Sequence, residues 1–183
     1  STQFGAYLQS RGLEPGDKIA IMMPNLLQYP IALFGALKAG LIVVNTNPLY
    51  TPREMKHQFN DSGAKAIIIA ENFASNLEKI IGDTGIKTVL LASIGEMLGS
   101  IKGSLTNFVV RKVKRMVPKY NLPNTVTFKH ALSEGKKFKL QDFERSPDDV
   151  IILQYTGGTT GVSKGAMLTN GNLVANLEQV NAC

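Results

Sequence analysis

At 183 residues, with 44% hydrophobic side chains and charges of both signs, the chain is long enough to bury a core and too apolar to be disordered. A single cysteine, Cys183, excludes a disulfide framework, and two histidines, His57 and His130, without further ligands at metal spacing exclude a structural zinc site. The net charge is +6, but residues 94–120 carry six cations against the lone carboxylate of Glu96, so the basic balance is one local feature and argues against a nucleic-acid partner.

The first residues, STQFGAYLQSRG, have neither the charged start nor the apolar middle of a secretion signal. No apolar run reaches the roughly 20 residues that cross a bilayer. The expected setting is the reducing cytoplasm. Five apolar runs then read as strands: KIAIMM (18–23), LIVVN (41–45), AKAIIIA (64–70), KTVLLA (87–92) and VIILQY (150–155). They lack polar alternation, as strands covered on both faces do. Between them, LLQYPIALFGALKAG (26–40) has helical spacing and a stop at Gly40. The next crossover opens with Thr51, Pro52 and Glu54, a capping box with proline in the first turn, and Gly63 can close it. ENFASNLEKIIGDTG (71–85) reads as a third helix. Strands alternating with helices at this spacing predict an α/β fold, a parallel sheet with crossover helices on both faces.

The alternation breaks after Ala92. Residues 93–120 read as an inserted helix or helix pair, and 121–149 as surface connections with a short helix or edge strand. The chain starts and stops abruptly, with Cys183 inside a helical pattern, so a piece of a longer protein is expected.

The last predicted strand runs into YTGGTTGVSKGA (155–166). Its serine precedes its lysine and a glycine follows, which is the wrong order for a Walker loop, and adjacent Gly157 and Gly158 break the dinucleotide pattern. Glycines still let several N–H groups converge on one anion, the hydroxyls of Thr156, Thr159, Thr160 and Ser163 can donate to phosphate oxygens, and Lys164 adds a point charge. The plain alternative is a glycine-rich hairpin in which GAMLT (165–169) is the returning strand.

YTGGTTGVSKGAMLTNGNL resembles the phosphate-binding motif of the adenylate-forming superfamily, and the likeness extends upstream through residues 16–69. Within that superfamily the bacterial long-chain fatty acid–CoA ligases are most similar. The resemblance implies the N-terminal part of the large domain of such an enzyme, which would use ATP with Mg2+ and take a fatty acid and CoA as partners. It implies that Thr156, Gly157, Gly158, Thr159, Thr160, Gly161, Ser163 and Lys164 cradle the β- and γ-phosphates. It divides the chain into an α/β subdomain (1–149, with the basic insertion at 93–120) and the start of the next subdomain (150–183). The Tyr-Gly-x-Thr-Glu motif with its magnesium-ligating glutamate, the ribose-holding aspartate and the lysine-bearing lid domain are expected downstream of Cys183. The piece by itself is expected to be inactive. Two alternatives stay open: a medium-chain or aryl-acid ligase, and a non-catalytic nucleotide- or membrane-binding module.

IGEMLGSIKGSLTNFVVRKVKRMVPKY (94–120) combines apolar residues near helical spacing with clustered cations. Two fates fit. Its apolar stripe packs on the sheet with the charges solvated, or it lies on an anionic membrane surface, at the inner face of the cell membrane.

Overall fold

The computed structural model describes residues 1–156 and 163–181. All five predicted strands form: β1 (Lys18–Met22), β2 (Ile42–Asn45), β3 (Ala64–Ala70), β4 (Thr88–Ala92) and β6 (Val150–Thr156). A two-residue strand, β5 (Val126–Thr127), and β7 (Lys164–Thr169) complete one seven-stranded sheet in the order β5-β4-β3-β1-β2-β6-β7. Every pairing is parallel except that of β6 with β7, which is antiparallel. The returning strand of the hairpin alternative is therefore present, and β7 is the departure from a purely parallel sheet.

Successive residues of a strand face opposite sides, and β1 shows why its run needs no polar positions. Ile19 and Ile21 join the core beneath α1 (Thr2–Ser10), α2 (Gln28–Lys38) and α6 (Phe128–Gly135), whereas Ala20 and Met22 join the core beneath α3 (Pro52–Ser62) and α4 (Ala74–Glu78). Both faces are covered by helices, as the apolar runs require.

The α3 cap forms as expected. The Glu54 N–H donates to Thr51 Oγ1, the Thr51 N–H donates to Glu54 Oε2 at 2.8 Å, and Gly63 takes φ 66°. Two stretches depart from the sequence reading. Residues 2–10 form α1, which the apolar spacing of Phe4, Tyr7 and Leu8 could have revealed. Residues 71–85 are a 3₁₀ turn (Glu71–Phe73), the short α4 and a second 3₁₀ turn (Ile81–Asp83) rather than one helix. Ala74, Leu77 and Ile80 are the buried apolar residues along this broken stretch. In residues 121–149 the expected short helix and edge strand both form, as α6 and β5, and α6 sends Phe128 and Ala131 fully into the core rather than over the surface.

The basic segment is one helix, α5 (Ser100–Phe108), continued by a π turn (Val109–Val113) in which the Lys114 N–H donates to the Val109 carbonyl. Its apolar stripe does not pack on the sheet: Ile101, Leu105 and Phe108 are exposed, and Gly103 and Val110 are the buried side. Arg111 forks onto both carboxylate oxygens of Glu71, with Nη2 to Oε2 at 2.6 Å, and the Glu71 side chain is only 4% exposed. Arg111→Ala should therefore strand a buried carboxylate and destabilise the protein by about 2 kcal/mol, less than for a fully buried pair because the guanidinium is half-exposed. A Glu71→Gln change made together with Arg111→Ala should recover much of that loss in thermal unfolding.

Candidate functional site

The connection from β1 to β2 runs through α2 on one face, and that from β2 back across β1 to β3 runs through α3 on the other. Strand order thus reverses beside β1, and in open α/β sheets the crevice at the carboxyl ends of such strands is where ligands bind. An open cleft of about 290 Å³ lies there, at the ends of β1, β2 and β6. Clefts of about 370 and 460 Å³ lie beside α1 and at the amino ends of the strands, away from the carboxyl end of β6.

The cleft wall is a polar chain. Tyr29 Oη donates to Asn45 Oδ1 at 2.9 Å, and Asn45 Nδ2 donates to Gln154 Oε1 at 2.9 Å. Gln58 Nε2, reaching from α3, donates to the Asn45 carbonyl at 2.9 Å. Burial pushes the Tyr29 phenol above its ordinary value, so it stays a donor. β6 is inserted between β2 and β7, with Asn45 beside Gln154 and Thr156 opposite Lys164.

That last pairing bears on the loop. Cross-strand partners project side by side, so the side chains of Thr156 and Lys164 leave the sheet together at the neck, both exposed. A hydroxyl donor and an exposed cation side by side suit a phosphate. Gly157, Gly158, Thr159, Thr160 and Gly161 lie outside the described residues. Ser163 is half-buried, and its carbonyl accepts from His57 Nε2 at 3.2 Å, which places that histidine's proton on Nε2.

The neck is tied to α3 at a second point. Tyr155 Oη donates to Asp61 Oδ2 at 2.5 Å, and burial together with that carboxylate holds the phenol far above its ordinary value. The ring lies across Gly165, where any Cβ would come within 2.8 Å of Tyr155 Cε2, so only glycine fits that position of β7. His57 and Asp61 are four residues apart and share one face of α3. Nothing in the sequence pattern assigns His57 or Asp61 to the neck. Tyr155→Phe should cost about 1 kcal/mol, read as a lower unfolding temperature. No loss would mean that Asp61 is equally well served by water.

Among the described residues, no three His, Cys, Asp or Glu side chains converge as a metal site. No helix among them is long and apolar enough to cross a membrane.

The chain matches the AMP-binding enzyme family over residues 1–183. It is 58% identical over 183 residues to a long-chain-fatty-acid–CoA ligase of Escherichia coli O157:H7, covering 100% of this chain and 33% of that protein. A long-chain-fatty-acid–CoA ligase of Bacillus subtilis is 36% identical over 98% of this chain and 32% of that protein. A 4-coumarate–CoA ligase of Nicotiana tabacum is 28% identical over 98% of this chain and 28% of its own length. The chain thus spans about a third of the length of these relatives. Among solved structures, the fold is similar to an anthranilate CoA ligase in complex with anthranoyl-AMP (TM-score 0.75, 20% identity, 98% of this chain and 30% of that one). It is also similar to a long-chain-fatty-acid-CoA ligase from Archaeoglobus fulgidus (TM-score 0.71, 23% identity, 98% and 30%). Fold and sequence agree, and the chain belongs to the AMP-binding enzyme family.

Proposed function

We propose that the full-length protein carrying this chain is an ATP-dependent long-chain fatty acid–CoA ligase. The observation that carries the reading is identity: this chain is about twice as similar to the bacterial long-chain ligase as to the 4-coumarate ligase. In the first step a carboxylate oxygen attacks the α-phosphorus of ATP, the bond to the β-phosphate bridge breaks, and pyrophosphate leaves. In the second, the CoA thiolate attacks the acyl carbonyl and AMP departs.

The loop would hold the β- and γ-phosphates. Gly157, Gly158 and Gly161 would offer backbone N–H groups, and Thr156, Thr159, Thr160 and Ser163 their hydroxyls. Lys164 would balance the charge that gathers on the leaving pyrophosphate, help that is electrostatic and positional. Bound Mg2+ would spread that charge further, its glutamate belonging to a Tyr-Gly-x-Thr-Glu motif that these 183 residues do not contain. Residues 1–149 would form one subdomain, and β6 would open the next. The enzyme would work in the cytoplasm, at the inner face of the cell membrane.

The test is the full-length protein with ATP, CoA and either oleate or 4-coumarate. AMP released in step with oleoyl-CoA, and much faster than with 4-coumarate, is expected. The opposite preference would replace the reading with an aryl-acid ligase, and ATP binding without AMP release from either acid would leave a binding module.

A further inference from the structure

The α5 helix is amphipathic in the reverse of the usual sense. Ile101, Leu105 and Phe108, at spacings of four and three, form one stripe. Gly103, Asn107 and Val110 form a second at the same spacings, offset by two residues or about 200° around the helix. The second stripe is the docked one. Gly103 approaches the Gly95 backbone so closely that a Cβ on either would collide with the other's carbonyl. Asn107 Oδ1 accepts from the Gly95 N–H at 2.8 Å, its Nδ2 donates to Ser93 Oγ, and Val110 is buried. The Arg111–Glu71 pair and a bond from Asn72 Nδ2 to the Met116 carbonyl at 3.0 Å fasten the far end. So the apolar stripe is held outward, and Ile101 is 84%, Leu105 64% and Phe108 57% exposed. Leu98, Val113 and Met116 extend the exposed surface at both ends.

Cations border this apolar face. Lys102, Lys112, Lys114, Arg115 and Lys119 are all exposed, and none forms an ion pair among the described residues. Arg111 is the exception, because its charge is spent on Glu71.

We propose that this outward face of residues 98–119 docks on an anionic lipid bilayer, with Ile101, Leu105 and Phe108 in the acyl boundary and the bordering cations at the headgroups. A surface of both kinds at once is what an interfacial helix presents. A nucleic acid would be met by cations and would leave the apolar ridge in water. A covering protein segment would explain the ridge but not the unpaired cations around it. The placement deepens the membrane setting proposed above and does not depend on ligase chemistry, since binding is read without turnover.

The test is co-sedimentation of the full-length protein with vesicles of equal parts phosphatidylglycerol and phosphatidylcholine, and with phosphatidylcholine alone. Two variants accompany it: K112E/K114E/R115E, which spares Arg111, and I101S/L105S/F108S. All substituted side chains are exposed, so unchanged circular dichroism and an unchanged unfolding temperature are required of both. Expected is binding of the wild type to the anionic vesicles, with each variant weakened on the order of tenfold or more. Because the readout is sedimentation, failure of the ligase reading would leave this result standing. A wild type that stays in the supernatant with anionic vesicles would overturn the proposal. So would variants that sediment like the wild type, or an apolar variant that changes only the protein's oligomeric size.

Discussion

Replacing Lys164 with alanine in the full-length protein should lower kcat for acyl-CoA formation by about a hundredfold, the size of effect seen when one preorganised electrostatic partner is removed from a developing charge. Lys164 opens β7 directly opposite Thr156, so the antiparallel ladder fixes its backbone at the neck. The charge it would meet grows as the α-phosphorus is transferred, which is why kcat should suffer more than the KM for ATP. A control isolates that cause. Conversion of preformed oleoyl-adenylate and CoA to oleoyl-CoA involves no β- or γ-phosphate, so the variant should run that half-reaction at the wild-type rate. Lys164→Arg keeps the charge but changes its shape and hydration, and an intermediate rate is expected. Equal loss in both half-reactions would point to damage in the hairpin and would remove Lys164 from the phosphate site.

Which parts could be read from sequence follows from how local their causes are. The five long strands announce themselves because each buries both faces, and the α3 cap because Thr51 and Glu54 meet within one turn. α1 escaped because its stripe is short and its partners, Phe128 and Gly135, lie more than 120 residues away. In 94–120 periodicity shows that a stripe exists but not which way it points. That is decided by the Gly95–Gly103 approach and the Arg111–Glu71 pair, one a matter of backbone contact and the other linking residues 40 apart in sequence. The site divides the same way. The Ser163-Lys164-Gly165 order was readable in the sequence, whereas the ties from His57 to Ser163 and from Asp61 to Tyr155 exist only because α3 packs beside the end of β6. The polar chain from Tyr29 through Asn45 to Gln154 likewise needs β2 and β6 side by side, a pairing across about a hundred residues.

Gly135→Ala should be the most damaging single-methyl change in the fold, at about 3 kcal/mol or roughly 8 °C in Tm for a unit of this size. Helix propensity alone argues the other way, since alanine is favoured over glycine by about 1 kcal/mol inside a helix. Gly135 ends α6, however, where it crosses α1, and a Cβ there would collide with the carbonyl oxygen of Gln3 and press on Tyr7 Cβ. A helix backbone cannot yield as a side chain can, so α1 must shift as a body. That would loosen Phe4, Tyr7 and Leu8, all buried, and open the tilted contact of Phe4 with Phe128, whose rings sit 5.1 Å apart. Gly85→Ala supplies the contrast, because its nearest neighbour would be a carbonyl 3.8 Å away. It should be neutral or stabilising by up to about 1 kcal/mol through the unfolded chain. A Gly135 variant as stable as the Gly85 variant would mean that α1 floats on the sheet, and the core beneath it would then owe little to that helix.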